Sequence, residues 1–124
     1  MRGARRLLVL AMVLAGSGCG DGLLSDCDRT MGAELISPDA AHKAAVLDVA
    51  CGTTTRDAYW VLLTRADREF SGRRDRVAVF EGRPERVEWR GTVLHVDHGS
   101  AKPFLMNEEA GGVRIVYAAS APVP

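Results

Sequence analysis

The hydrophobic positions of the chain fall in short runs, and no segment of helix length shows a 3.6-residue period. Residues 58–64 are apolar on both faces, which is typical of a central strand buried on two sides. Within residues 44–51, strand alternation places Leu47, Val49 and Cys51 on one face. The Cys51 thiol is therefore expected to point the same way as two candidate core residues. The other runs that predict strands are 34–36, 77–80, a hairpin over 87–97, and 113–117.

Turn signals separate these strands. Residues 37–40 read Ser-Pro-Asp-Ala, which contains a Pro-Asp turn signal. In the hairpin the turn is predicted at Arg90 and Gly91. A type I turn with a glycine bulge is favoured there, because a type I′ turn would also force Arg90 to a positive φ. Residues 65–76 and 99–112 are rich in charge and glycine and are predicted to be loops.

Five to seven short strands at this spacing predict an all-β fold, an antiparallel meander, sandwich or partly closed barrel. The chain of 124 residues fits one small domain. We expect the folded unit to span residues 27–118 and residues 119–124 to form a flexible tail. Trp60 and Trp89 each lie within a predicted strand and are expected to pack in the core. A unit of this size buries only about 60–65% of its unfolded surface, so a covalent crosslink would help to stabilise it.

The first 18 residues have the three-part pattern of a secretory signal peptide. Three arginines lie before residue 7, residues 7–15 are all apolar, and residues 16–18 are small. The apolar run is far shorter than the roughly 20 residues that a membrane-spanning helix needs. We therefore expect residues 1–18 to direct export and to take no part in the fold.

Two cleavage sites are consistent with this signal. Residues 16–19 read Gly-Ser-Gly-Cys and resemble a bacterial lipobox, in which the cysteine is acylated with palmitate-type chains and becomes the new N-terminus. The segment departs from that pattern at Gly16, where an aliphatic residue is usual. Alternatively, residues 15–17 form a small-x-small site for ordinary signal peptidase, which would leave Gly18 as the first residue of a free protein.

The cysteine count favours the lipobox interpretation. The chain has three cysteines, Cys19, Cys27 and Cys51. An unpaired cysteine in an oxidising compartment is open to intermolecular pairing or oxidation. If Cys19 carries the lipid, Cys27 and Cys51 form the only even pairing, and we predict a disulfide between them. Residues 19–26 would then be a lipidated tether.

A sequence signature in the first half of the domain resembles a known family. Residues 37–39 read Ser-Pro-Asp and residues 51–55 read Cys-Gly-Thr-Thr-Thr. This is similar to small exported bacterial lipoprotein-like proteins of unknown function, whose pattern is a leading cysteine, a Ser-Pro-Asp-Gly hairpin, a strand and Cys-Gly-Ala-Thr-Thr. The chain departs from the pattern at Ala40 and Thr53, and it has an arginine-rich insert before residue 77. The resemblance implies no catalytic residue. It extends over segments 76–80, 87–94 and 113–117.

Composition and charge exclude several classes of protein. With 47% hydrophobic and 26% charged residues, the chain is neither collagen-like, low in complexity nor wholly disordered. The formal net charge is zero, but all three basic residues before Cys19 belong to the signal. From Cys19 onward 13 basic residues face 16 acidic ones. A general nucleic-acid binder is therefore not expected.

An arginine-rich run interrupts this acidic domain. It has two interpretations: contact with anionic lipid headgroups, or a solvated loop, which is the usual role of such runs. The solvated loop is the favoured one. The run contains five arginines at positions 65, 68, 73, 74 and 76 and three acidic residues, Asp67, Glu69 and Asp75.

Candidate chemistry is sparse. His95 and Asp97 would share a strand face about 6.6–7 Å apart at their Cα atoms, a spacing that suits a metal or a His–carboxylate bond. His98 would fall on the opposite face unless the strand has ended, so a site with three ligands would need a bend there. The favoured interpretation is that these residues form a solvated strand end. The chain has no phosphate-binding glycine loop, His-Glu-x-x-His, Cys-x-x-Cys or nucleophile elbow.

These observations predict a lipid-anchored protein of the bacterial cell envelope. We expect a non-catalytic binding or structural module with no cofactor or metal, held at the membrane through the lipid on Cys19. Its further partners would be an envelope protein or anionic headgroups. One alternative is a freely secreted or periplasmic domain of the same fold, and another is a small metal-dependent enzyme that uses His95 and Asp97.

Overall fold

The structure is a computed structural model that describes residues 27–52 and 56–119. This part of the chain is all-β, as predicted, with one 3₁₀ turn over Gly72–Asp75. It contains no helix long and apolar enough to cross a membrane. The strands are β1 (Asp28–Met31), β2 (Leu35–Ile36), β3 (His42–Ala50), β4 (Ala58–Arg65), β5 (Arg76–Glu81), β6 (Arg86–Arg90), β7 (Val93–Gly99), β8 (Lys102–Met106), β9 (Glu109–Ala110) and β10 (Val113–Ala119).

The strands form two sheets. The first has the order β1-β3-β4-β5-β8, and β2 also pairs with β3. The second has the order β6-β7-β10-β9. Strands β7 and β10 pair in parallel, because the chain visits β8 in the first sheet before it returns to the second. The other pairings among the described strands are antiparallel, so the predicted antiparallel fold is correct except at this one pair.

The main core lies between the two sheets. Phe80, from the first sheet, is its largest fully buried side chain. The second sheet contributes Val113 and Ile115, with Tyr117 partly buried beside them, as the alternation in residues 113–117 predicted. The buried members of this cluster are Ala44, Val61, Leu63, Val77, Ala78, Phe80, Leu94, Val96, Val113 and Ile115.

A second apolar cluster covers the opposite face of the first sheet. It consists of Leu47, Val49, Trp60, Leu62 and Val79. Strand β4 contributes to both clusters because its odd-numbered and even-numbered residues point to opposite faces. This confirms the prediction that residues 58–64 form a central strand buried on two sides.

Both tryptophans pack against a core cluster, as predicted. Trp60 is 9% exposed and belongs to the second cluster. Trp89 is partly buried against the main core, and its indole Nε1–H donates a 2.8 Å hydrogen bond to the carbonyl of Leu35. Since Trp89 lies on β6 and Leu35 on β2, this bond joins the two sheets.

The turn of the β6–β7 hairpin differs from the prediction. Arg90 pairs with Val93, so the turn residues are Gly91 and Thr92. Gly91 has φ 62°, and Ala40 is the only non-glycine residue with positive φ in the described part of the chain. A two-residue turn with positive φ at its first position alone belongs to the type II′ class, which favours glycine there. The predicted glycine bulge is therefore wrong, because Arg90 pairs directly with Val93 across a two-residue turn and the register of β6 and β7 has no shift.

Three strands were missed, so the predicted number of five to seven is too low. The loop prediction for residues 99–112 is wrong, because β8 and β9 lie within it. Strand β1 was assigned to no element although it pairs with β3. All four residues of β1 are exposed, so it lacks the apolar signal on which strand prediction depends. Strand β10 extends to Ala119, one residue into the predicted tail.

The turn at residues 37–40 is closed by side chains as well as by the backbone. The Ala40 N–H donates to the Ser37 carbonyl at 2.8 Å. The Ser37 hydroxyl donates to Asp39 Oδ1 at 2.6 Å and accepts from the His42 N–H at 3.0 Å. The Ser37 hydroxyl and the Ala41 N–H (3.1 Å) both bond the Asp39 carboxylate, and they lower the pKa of that carboxyl below its usual value.

Ala40 occupies a left-handed conformation, with φ 62°. We predict that Ala40→Gly stabilises the protein by about 1 kcal/mol, because glycine avoids the steric cost of a Cβ atom in that region. The matched control is Ala41→Gly, next to it and also exposed, where φ is not positive. That change should destabilise by about 0.4–1 kcal/mol through unfolded-state entropy. Urea unfolding of the three proteins measures both effects, and a lower midpoint for Ala40→Gly would contradict the prediction.

Candidate functional site

The disulfide between Cys27 and Cys51 is present. The pairing of β1 with β3 places Asp28 opposite Ala50, and one further step along the two strands brings the cysteines together. Their Cα atoms are 4.0 Å apart, and their sulfurs are bonded at 2.07 Å. Cys27 packs against the second cluster, on the face of Leu47 and Val49 predicted for Cys51. The bond confirms the predicted pairing.

Other predicted positions lie outside the described residues. Cys19, the predicted lipidation site, is one of them, together with the rest of residues 1–26. The threonines at positions 53–55, part of the signature that resembles exported proteins, are also outside. The disulfide fixes Cys27, the first described residue, to the end of β3. The predicted tether over residues 19–26 would therefore join the domain at that end.

The predicted histidine–aspartate pair lies on the outer face of the second sheet. His95 and Asp97 line a shallow groove of about 100 Å³ beside the side chains of β6. The Asp97 carboxylate accepts the Gly99 N–H at 3.1 Å. His98 points to the other face, where its ring stacks on Phe80 with centroids 5.2 Å apart. The structure therefore places His95 and Asp97 on the same face of β7 and His98 on the other face.

His98 is held by its surroundings in the core. Its Nδ1 lies 3.1 Å from the carbonyl of Ala101, in addition to the stacking on Phe80. Within residues 27–52 and 56–119, no three histidine, cysteine, aspartate or glutamate side chains are grouped so that they could hold a metal. The geometry thus assigns His98 a packing role.

The arginine-rich insert is an ordered structure attached to the first sheet. Phe70 packs against the second cluster, and the Lys43 ammonium lies 4.9 Å from the centroid of its ring. Asp75 is buried and accepts the Ser71 N–H at 2.6 Å. Partly buried Phe70 and buried Asp75 thus hold the segment on either side of the start of the 3₁₀ turn, and the arginines around it extend from a defined backbone.

The insert forms one wall of a large groove. The groove has a volume of about 780 Å³ and lies at the end of the sandwich where β4 passes into the insert. Its charged lining consists of four arginines and two aspartates, with His42 beside them: Arg65, Arg68, Arg74, Arg76, Asp67 and Asp75. A net positive groove thus lies on a domain whose net charge is negative.

The two aspartates neutralise this groove only in part. Asp67 pairs with Arg65 at 3.1 Å. The Asp75 carboxylate is turned toward Ser71, and it lies 3.9 Å from Nε of Arg74. Arg68 has no ion-pair partner within the described residues.

Arg76 is held by stacking. Its guanidinium carbon lies 4.7 Å from the centroid of the Trp60 ring. Its Nε is buried and has no hydrogen-bond partner among the described residues. Arg76 therefore adds positive charge to this end of the domain without a carboxylate to balance it.

The loop between β8 and β9 forms another wall of the groove. Asn107 lines the groove, and its N–H donates to the Val77 carbonyl at 2.9 Å. The Tyr117 hydroxyl donates to the Asn107 carbonyl at 2.6 Å. Burial, with a smaller contribution from the nearby Glu108 carboxylate, raises the pKa of Tyr117 well above its usual value. Tyr117 therefore stays a neutral donor at physiological pH and fixes this wall.

Sequence reasoning noticed the arginines but did not predict the groove. The groove combines the turn at 40–42, the ends of β4 and β5, and the loop around Asn107. No local pattern shows that these segments meet. The one available signal was Phe70, a large apolar residue within an otherwise charged stretch, which indicates a segment that packs back onto the domain.

Comparison of the chain with protein-family models, curated proteins and solved structures gives no significant match. The resemblance to small exported proteins therefore stays an expectation from the sequence.

Proposed function

We propose that the protein is a lipid-anchored module of the bacterial cell envelope that binds a ligand without catalysis. The anchor is the acylated thiol of Cys19, followed by a short tether over residues 20–26. The folded domain begins at Cys27. Its binding surface is the end of the sandwich that holds the arginine groove.

The observation that supports the anchor is the Cys27–Cys51 disulfide. It uses two of the three cysteines, and Cys19 is the one that stands at the lipobox-like position. A structural disulfide also suits an exported protein, since disulfides form and persist in oxidising compartments. Acylation of Cys19 removes the remaining thiol, so no cysteine of the mature chain is left reactive.

The observation that supports a binding role is the groove. Its volume of about 780 Å³ is in the range of small-molecule sites, which is about 300–1,000 Å³. Buried Asp75 and the packing of Phe70 hold the insert in place, so the groove is preformed. A preformed site loses less conformational entropy when it binds a ligand.

Cys19→Ala should move the protein from the membrane fraction to the soluble fraction. We expect wild type to enter the detergent phase in a detergent phase-separation assay, and the variant to stay in the aqueous phase, because the acyl chains supply the membrane affinity. Cys19→Ala leaves the Cys27–Cys51 disulfide unchanged, so stability measurements should agree between the two proteins.

Mass spectrometry of the mature N-terminus distinguishes this proposal from the freely secreted alternative. The anchored protein begins at an acylated Cys19. An unmodified N-terminus at Gly18, with wild type in the aqueous phase, would contradict the anchor and favour a free periplasmic or secreted domain.

A further inference from the structure

We propose that the arginine groove is a binding site for a phosphate group carried by a small water-soluble molecule. This proposal rests on the binding role proposed above and names the class of ligand. It does not depend on the lipid anchor. The groove is lined by Arg65, Arg68, Arg74 and Arg76.

The chemistry of the lining favours an oxyanion. Guanidinium groups present paired N–H donors that match the oxygens of phosphate and carboxylate. Arg68 has no carboxylate partner in the described part of the chain, and Arg74 faces one only at 3.9 Å. Since four arginines face only two aspartates, a ligand group with two negative charges would balance the groove. Phosphate has this charge, whereas a single carboxylate does not.

The size of the groove indicates an organic ligand. A volume of about 780 Å³ exceeds what a bare phosphate ion fills. Small uncharged residues also line the groove and could contact the rest of the molecule: Ala40, Ala41, Ala66, Ala110 and Gly111.

The position of the groove favours a soluble ligand over the headgroups of the anchoring membrane. His42 lines the groove at the start of β3, and Cys51 follows the end of that strand. At about 3.3 Å per residue, the two ends lie about 30 Å apart. The chain before Cys27 joins the domain at the disulfide end, so the groove lies at the end farthest from that attachment.

The test is a calorimetric titration of the full chain carrying Cys19→Ala with inorganic phosphate, carried out at constant ionic strength. Constant ionic strength is needed because salt screens exposed charges. We expect saturable binding that Arg68→Gln with Arg74→Gln weakens at least about tenfold, since each arginine contributes charge-assisted hydrogen bonds. The matched control is Arg86→Gln with Arg90→Gln, which removes the same charge from the outer face of the second sheet.

Amide chemical shifts of the Cys19→Ala protein, with its groove residues unchanged, give a second measurement that does not depend on any groove variant. Phosphate should shift the signals of residues 65–68, 74–76 and 107–111, while chloride at the same ionic strength should not. Equal weakening by the groove and control variants, shifts spread over the whole surface, or no saturable binding would each overturn the proposal.

Vesicles separate the two sources of phosphate. Phosphatidic acid vesicles present a phosphomonoester on a membrane, and phosphatidylcholine vesicles are the neutral control. Binding to inorganic phosphate with no preference for the anionic vesicles supports the soluble ligand. Binding to the anionic vesicles alone would overturn it in favour of membrane contact. Failure here leaves the detergent partition of wild type unchanged, so it is distinguishable from failure of the anchor.

Discussion

Removal of the Cys27–Cys51 disulfide should lower the free energy of unfolding by about 3.5 kcal/mol. The bond joins residues separated by 24 positions, and the chain-entropy estimate for a loop of that length gives this value. Small domains have a total stability of roughly 5–15 kcal/mol, so the loss is a large fraction of the whole. We expect the reduced protein to remain folded at low temperature and to unfold at a clearly lower denaturant concentration.

The structure indicates where the reduced protein would first open. Strand β1 is exposed along its whole length and pairs only with β3. The packing of Cys27 against the second cluster therefore gives this segment an apolar contact that β1 itself lacks. Without the disulfide, β1 should fray, and the amides of residues 28–31 should exchange with solvent faster than those of β4.

The double variant Cys27→Ala with Cys51→Ala is the sharper test. A single substitution would leave a thiol that could pair with Cys19 when the lipid is absent. The urea midpoint of wild type should be lower with reductant than without it. The double variant should have the midpoint of reduced wild type, and reductant should not change it. A difference below about 0.5 kcal/mol between wild type and the double variant would show that the disulfide contributes little to stability.

The parts of the fold that could be predicted are those where one strand pattern decides the outcome. Residues 58–64 are apolar at every position but one, and this predicted a strand between two layers. Alternation placed Cys51 with Leu47 and Val49, and elimination among three cysteines gave its partner. The two strand predictions use a local signal, because burial on a given face repeats with the period of the strand, whereas the pairing uses only the cysteine count.

Strand β8, at one edge of the first sheet, could not be predicted in this way. Strand β8 contains Lys102 and Pro103 and exposes Phe104, with a register shift between Val79 and Phe80 of its partner β5. Lysine, proline and bulges are the features that protect an edge strand from pairing with another chain. The same features remove the alternation that predicts a strand, so the segment reads as a loop.

The groove could not be predicted because its parts meet only in the folded protein. The sequence shows the arginine run, but the order of the run depends on the packing of Phe70 against the second cluster and on the burial of Asp75. A solvated loop was the reasonable expectation for such a run. The fold turns it into one wall of a groove by placing Asn107 opposite.

Phe80→Ala should lower the free energy of unfolding by about 3–5 kcal/mol, the usual cost of removing a large core side chain. Phe80 has no exposed surface and fills the space between the two sheets. Its ring stacks on His98 and lies 6.4 Å from the ring of Tyr117, so the substitution removes contacts between the first sheet and the second. The surrounding strands are hydrogen-bonded on both sides and can close the resulting cavity only in part.

Phe104→Ala is the matched control for this prediction. Phe104 lies on the neighbouring strand β8, but it is 59% exposed and contacts Lys102 at the surface. Its removal should change the stability by less than about 0.5 kcal/mol. If Phe80→Ala does not fold, Phe80→Leu keeps the comparison measurable, because it leaves a smaller cavity. Equal losses for Phe80→Ala and Phe104→Ala would mean that the space between the sheets is not the main core, because the cost of truncation follows the burial of the side chain.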